Sequence, residues 1–334
     1  MEDDGLAPHA DDSMPPGAKR GPGRPRNPKT HMVIPRQGIV SKPSNLVRVP
    51  NADQVYAVEL MYDNPQMFRR IFRITNSMKV SDIRIRFNPD CMEIYAIDHL
   101  AASQIYYRIA GKMMNLYYCE RVVEFGVKAK EIFDTCECAG RDTDRIMFTM
   151  RRAHLCRKLK ITTTYDTLGE QEERELSVEP IAEYNWDIRA LVEAEQDYHI
   201  KFTLPFKYFK DKITDYGNNH CEVLKVQKTH NTMLRFHYEH KSGVCNTYFK
   251  HPDKINLKCT LPEGEIFSTG FNLSHVYELA SCSTITPEIG ISCHKNSPFI
   301  FTLLMDRDMV DKKLVPGTEK CVIKVVTKHQ ALTR

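Results

Sequence analysis

The chain has 334 residues, of which 42% are hydrophobic and 27% charged. That is enough for two domains with a sizeable buried core, and it is the balance of a globular protein. No apolar run approaches the roughly eighteen residues a membrane helix needs, and Met1-Glu2-Asp3-Asp4 has no apolar stretch behind it, so neither a membrane span nor a secretory signal is expected. The net charge of +4 hides an asymmetry: eight basic and no acidic residues lie between Ala18 and Arg48, which leaves −4 for the rest.

Residues 1–52 are rich in Pro, Gly and charge, lack apolar periodicity and are expected to be disordered. Order begins near Val55 with a short strand to Leu60, followed by a helix opened by Asp63-Asn64-Pro65. Strands are expected at about 82–87, 92–98 and 103–109, then one long strand near 116–127. A second helix over about 128–138 precedes strands near 145–150 and 158–165. A strand from Glu173 ends at Glu179-Pro180, where proline removes a ladder donor.

The same order then repeats. A strand at 198–204 enters a helix opened by Pro205, and strands near 220–226, 232–238, 243–250, 254–260 and 265–271 lead to a helix at about 273–282. Strands near 287–293, 298–305 and 319–327 follow. The repeat lies in element order, with little identity between the halves. Between them, ten carboxylates face only Arg174 and Arg189 from Glu170 to Asp197, and residues 180–197 read as an exposed connector. That connector carries Ile181, Tyr184, Trp186, Ile188, Leu191 and Val192, which either form a contact surface or anchor it to the body.

On a helical wheel of about 100° per residue, Met67, Phe68, Ile71, Phe72 and Ile74 share one arc, with Arg69, Arg70 and Arg73 opposite. An arginine face with no balancing acids suits phosphate contacts that carry no base information. The third helix is similar but less clean: Phe206, Phe209 and Ile213 face inward, Lys207 and Lys210 lie away from them, and Lys212 is diluted by Asp211 and Asp215.

Eleven cysteines are scattered from Cys91 to Cys321 without zinc or redox spacing, so they are expected to be reduced packing groups. No phosphate-cradling glycine loop, His-Glu-x-x-His or nucleophile elbow occurs, so no enzyme, metal or cofactor is expected.

Several segments together resemble proliferating cell nuclear antigen (PCNA), the eukaryotic sliding clamp: Met67-Phe68-Arg69-Arg70-Ile71-Phe72, Met92-Glu93-Ile94-Tyr95-Ala96-Ile97-Asp98 and Tyr117-Tyr118-Cys119-Glu120-Arg121. Gly126-Val127 with Cys138-Ala139-Gly140, Phe271-Asn272-Leu273 and Pro298-Phe299-Ile300-Phe301 also fit, over about 55–328. The Gly-Pro-Gly-Arg-Pro tail and Leu176-Ser177-Val178-Glu179-Pro180 look closest to clamp-like proteins of large cytoplasmic DNA viruses of the asfarvirus group.

The resemblance implies an α+β DNA-clamp fold: two similar domains, each with two helices on antiparallel sheets, closing into a ring that is usually a trimer. The expected boundaries are a basic tail (1–52), a first domain (53–179), a connector (180–197), a second domain (198–328) and a short tail (329–334). An edge strand near 173–178 is expected to pair with a neighbour's strand near 243–250. The implied function is a polymerase processivity factor around double-stranded DNA, working inside the cell in the nucleus or a viral replication factory. DNA polymerase and other replication proteins would dock through short motifs, with a clamp loader as a further partner. The alternative is a DNA-binding replication or transcription accessory protein that uses this fold without forming a ring.

DNA contact would rest on Arg69, Arg70, Arg73, Lys207, Lys210 and Lys212, because Asp134, Glu137, Ser274 and Ser281 stand where the family commonly has basic residues. The docking groove would comprise Ile97, Ala101, Ala102, Ile181, Trp186 and Leu191. Its loop reads Ile97-Asp98-His99-Leu100-Ala101-Ala102 and lacks the family's histidine in register. In the tail, Arg20-Gly21-Pro22-Gly23-Arg24-Pro25-Arg26 resembles an AT-hook, with Arg20, Arg24 and Arg26 as candidate minor-groove contacts. The match is partial, since proline precedes Gly23, and a generic basic tail or nuclear-import signal is the other reading.

Overall fold

Strand β1 (Tyr56–Tyr62) runs through Asp63 toward helix α1 (Pro65–Ser77), which begins at a proline whose missing N–H needs no helical partner. The computed structural model describes residues 55–63, 65–98, 102–137, 145–155, 157–165, 169–179, 188, 197–240, 243–277, 279–280, 286–295, 297–305 and 321–327. The first half continues with β2 (Asp82–Phe87), β3 (Cys91–Ile97), β4 (Ser103–Ala110), β5 (Leu116–Cys119) and β6 (Val123–Lys128). Helix α2 (Ala129–Glu137) and strands β7 (Arg145–Arg151), β8 (Lys158–Tyr165) and β9 (Glu170–Ser177) follow.

The second half repeats this order. It begins with β10 (Ile200–Pro205), α3 (Phe206–Asn218), β11 (Val223–His230), β12 (Met233–His240) and β13 (Gly243–Lys250). It goes on with β14 (Asn256–Cys259), β15 (Phe267–Asn272), α4 (Ser274–Tyr277), β16 (Glu288–Cys293), β17 (Phe299–Met305) and β18 (Cys321–Thr327).

One expectation is corrected. The long strand at 116–127 is two strands, because the chain crosses there between sheets: β5 pairs with β1, and β6 with β2. The corner is fixed by the Glu120 amide donating to Ala57 O at 3.0 Å and by Cys119 Sγ meeting Arg121 O at 2.9 Å. The corner carries exposed Glu120 and Arg121, a polar break of two residues that periodicity reads through.

The strands form three sheets: β5-β1-β7-β8-β9, β14-β10-β16-β17-β18-β4-β3-β2-β6, and β13-β12-β11-β15. Each half therefore supplies one five-strand and one four-strand set in the same order. The five-strand set of the second half is fused to the four-strand set of the first through β18 and β4. Registers correspond as well. The row Gly126–Arg84–Tyr95–Tyr106 in the first half matches Gly270–Lys225–His237–Asn246 in the second.

Helix α1 packs on both sheets of its half. Phe68 lies 4.8 Å from Phe148 of β7 between ring centroids, and buried Tyr107 of β4 donates to Ile71 O at 3.2 Å while meeting Thr75 Oγ1 at 3.0 Å. In the second half Phe209 packs on Phe301 of β17 at 6.2 Å. The aromatic positions that set the helical period are thus the ones that fasten the helices to the sheets. Six of the eight described cysteines are buried and all eight are free thiols, with burial pushing Cys321 up to about 12.

Candidate DNA-facing helices and docking groove

The wheel places three arginines opposite the buried arc of α1, and the structure separates them. Arg73 is exposed and Arg70 half-buried, whereas Arg69 Nη2 donates to Glu137 Oε1 of α2 at 2.5 Å. This corrects the expectation of three solvent-facing guanidinium groups. Helices α1 and α2 lie side by side, so Glu137 reaches across and neutralises Arg69. The hydrogen bond from Arg69 holds the Glu137 carboxyl below its usual range, with the charges of Arg69 and Arg73 acting in the same direction. It also raises the Arg69 guanidinium. A single-helix wheel cannot detect a partner on another helix.

Helix α3 divides in the same way. Lys207 and Lys210 are exposed on one face, with exposed Asp211 beside them. Lys212 is half-buried, 5.9 Å above the ring of Tyr208, and that ring packs edge-on against Phe249 of β13 at 6.0 Å. Lys212 therefore stands beside an open sheet edge, apart from Lys207 and Lys210.

Among the described residues six strands lie at sheet ends, and two of them, β9 and β13, stand at opposite ends of the repeat. Strands β9 and β13 each pair on one side only, and both alternate in exposure along their length. On β13, Val244 and Tyr248 are 58% and 52% exposed, high values for large apolar groups on a strand. On β9, Glu173 pairs with Lys160 at 2.6 Å, Glu175 with Lys158 at 2.9 Å and Arg174 with Glu172 at 2.7 Å. The β6 edge is instead closed within the chain, by paired amide bonds of 2.9 Å between Gly126 and Glu179.

Of the expected groove residues, Ile97 is half-buried at the end of β3, and Ala102 is buried with its amide on Asp98 Oδ1 at 2.7 Å. Ala101, Ile181, Trp186 and Leu191 lie outside the described residues, as do Arg20, Arg24 and Arg26 of the tail. Ile188, in the connector, is 1% exposed and packs with Tyr95, Tyr106, Tyr198, Ile300 and Val326 on the nine-stranded sheet. These five were missed from sequence. The available signal was that β3 reads apolar at both parities, Met92, Ile94 and Ala96 on one and Cys91, Tyr95 and Ile97 on the other, which requires something to cover its outer side.

Among the described residues, no three His, Cys, Asp or Glu side chains are grouped to hold a metal, and no helix is long and apolar enough to cross a membrane.

No protein-family model matches the chain. It is 26% identical over 303 residues to an uncharacterised protein of African swine fever virus, from the Warthog/Namibia isolate, covering 88% of this chain and 96% of that protein. The corresponding protein from the Tick/South Africa isolate gives the same identity and coverage. Among solved structures, the proliferating cell nuclear antigen of Entamoeba histolytica superposes with a TM-score of 0.63, covering 83% of this chain and all of the other, at 10% identity. The chain therefore has the fold of PCNA, and over most of its length it is similar in sequence to a protein of African swine fever virus.

Proposed function

We propose that this chain is a sliding clamp: a ring of three copies that encircles duplex DNA and tethers replication proteins. The observation that carries this reading is the pair of open edges β9 and β13. Each is the counterpart, in its own half, of a strand already joined within the chain: β9 corresponds to β18, and β13 to β4. Joining β9 of one copy to β13 of the next repeats that junction between chains and closes the exposed edges.

The intrachain register transfers directly to this seam. It sets Glu172 opposite Thr247 and Arg174 opposite Cys245 of the neighbouring copy, where the internal junction has Ile323 opposite Tyr107 and Val325 opposite Ile105. The seam between copies is thus polar where the internal one is apolar, which suits a ring that opens there. Arg70, Arg73, Lys207 and Lys210 supply sequence-tolerant phosphate contacts, and the basic tail adds further contacts with Arg20, Arg24 and Arg26. The connector and the cluster under Ile188 form the docking groove, to which Ile97, Ala101, Ala102, Ile181, Trp186 and Leu191 contribute.

Light scattering at micromolar concentration tests the ring. The expected mass is three times the 38.7 kDa of one chain. A monomer independent of concentration favours the accessory-protein reading instead.

A further inference from the structure

The helix pairs of the two halves match position by position. Helices α1 and α3 are both 13 residues long, and buried Pro65, Phe68, Phe72 and Thr75 fall at the same steps as buried Phe206, Phe209, Ile213 and Tyr216. Arg69 therefore corresponds to Lys210, and Asn76 to Gly217. The pairing of β6 with β2 and of β15 with β11 makes Lys128 the counterpart of Asn272. Counting on from there, Phe133 of α2 corresponds to Tyr277 of α4, and Glu137 to Ser281.

In the first half this surface is closed. Arg69 is paired with Glu137, and Phe133 is half-buried against the core. In the second half it is open. Lys207 and Lys210 are exposed without an ion-pair partner among the described residues, and Tyr277 is 43% exposed.

A glycine fixes where the Tyr277 ring lies. A Cβ built on Gly217 would stand 2.9 Å from Tyr277 Cε2 and 3.4 Å from Cδ2, so the ring rests against the α3 backbone where any side chain would displace it. Lys207, Lys210, Thr214 and Gly217 form one stripe of α3, being spaced three or four residues apart, and Asp211 and Asp215 lie to one side of it. The stripe thus runs from two free cations to an exposed aromatic ring. Gly217 is roughly 10 Å beyond Lys210 at about 1.5 Å per residue, the length of about three nucleotides at about 3.4 Å each.

Cations that take phosphates beside a ring that takes a base are the parts of a single-strand binding surface. Duplex bases already have both faces covered by their neighbours, so a tyrosine ring finds nothing to stack on there. An unpaired base offers a free face. We propose that Tyr277 is a stacking site for an unpaired nucleobase of single-stranded DNA, at the end of a stripe on which Lys207 and Lys210 hold the phosphates. The inference rests on the DNA-facing reading of α3 and α4, and it extends that reading from duplex to single strand.

The test uses the full chain and two fluorescein-labelled single strands of equal length, one of thymidine and one with abasic sites in place of the bases. Both carry the same phosphates, and residues 1–54 contain no Phe, Tyr or Trp through which the tail could stack on a base. In fluorescence anisotropy at 0.1 M salt the thymidine strand should bind about ten-fold tighter. Tyr277→Ala should abolish that preference and leave affinity for the abasic strand unchanged. Tyr277→Phe should keep it, because stacking needs the ring and not the hydroxyl. Lys207→Gln with Lys210→Gln should weaken both strands alike. With 5-iodouracil in place of one thymine, ultraviolet light should cross-link the strand to Tyr277, as read by mass spectrometry. Equal binding of the two strands, a preference that survives Tyr277→Ala, or a cross-link only at other residues overturns the proposal. None of these readouts needs a closed ring: a monomer that shows the preference keeps the stacking site and loses the clamp, whereas a trimer without the preference loses only the stacking site.

Discussion

Under the proposed clamp function, the ion pair between Arg69 and Glu137 sets a quantitative expectation for DNA binding. Each phosphate neutralised by a cationic side chain contributes about −0.9 to the slope of log affinity against log salt. Arg69 is already neutralised by Glu137, so on α1 only Arg70 and Arg73 have charge to offer. Replacing both with Ala should flatten the slope by about 1.8, which corresponds to roughly a 12-fold difference in salt sensitivity between 50 and 200 mM. Arg69→Ala should change the slope by less than about 0.3. The informative variant is Glu137→Gln, which releases Arg69 without removing it. Its slope should steepen by about 0.9, and affinity at 0.1 M salt should rise about five- to ten-fold. Fluorescence anisotropy on a short linear duplex, using protein lacking residues 1–50 so that the tail adds nothing, measures each of these proteins. If Arg69→Ala flattens the slope as much as Arg73→Ala, or Glu137→Gln leaves it unchanged, the reasoning from the ion pair is refuted.

Three further outcomes follow from the same geometry. Lys212 stands beside β13, where the acidic β9 of a neighbouring copy would lie, so Lys212→Glu should shift the oligomer toward monomer in sedimentation while leaving the slope for linear duplex nearly unchanged. Tyr107→Phe removes the buried hydroxyl that joins β4 to α1 and should cost about 1 kcal/mol in urea denaturation, seen as a lower midpoint at an unchanged m value. The Glu137 carboxyl has its folded pKa depressed by Arg69, so its stabilising contribution is full above the ordinary value of 4.5 and is lost as pH falls through the folded value. Glu137→Gln should therefore reduce the acid sensitivity of thermal unfolding below pH 4.5 while matching its slope above it.

Periodicity read the element order well because each element buries one face. The apolar arc of α1 and the alternation of β2 and β11 follow directly from residues that touch the core. It failed where burial has two causes at once. Leu116–Cys119 and Val123–Val127 belong to two different sheets, and the exposed Glu120-Arg121 break between them is too short for periodicity to separate the strands. The site was less legible than the fold for a related reason. Arg69 and Glu137 are 68 residues apart, and their pairing depends on how α1 lies against α2. Lys212 looks equivalent to Lys210 in sequence, but its ammonium lies over the ring of Tyr208, which packs on Phe249 of β13.

The central claim is encirclement, and it is tested most directly by retention on a closed circle. A ring needs little direct affinity once it is closed, because topology holds it. Protein loaded onto a nicked plasmid circle should remain bound through a wash at 1 M salt, where electrostatic contacts are screened within about 3 Å. It should leave when a restriction enzyme linearises the plasmid, and deleting residues 1–50 should change neither result. Protein that leaves the intact circle as readily as the linear form would contradict encirclement.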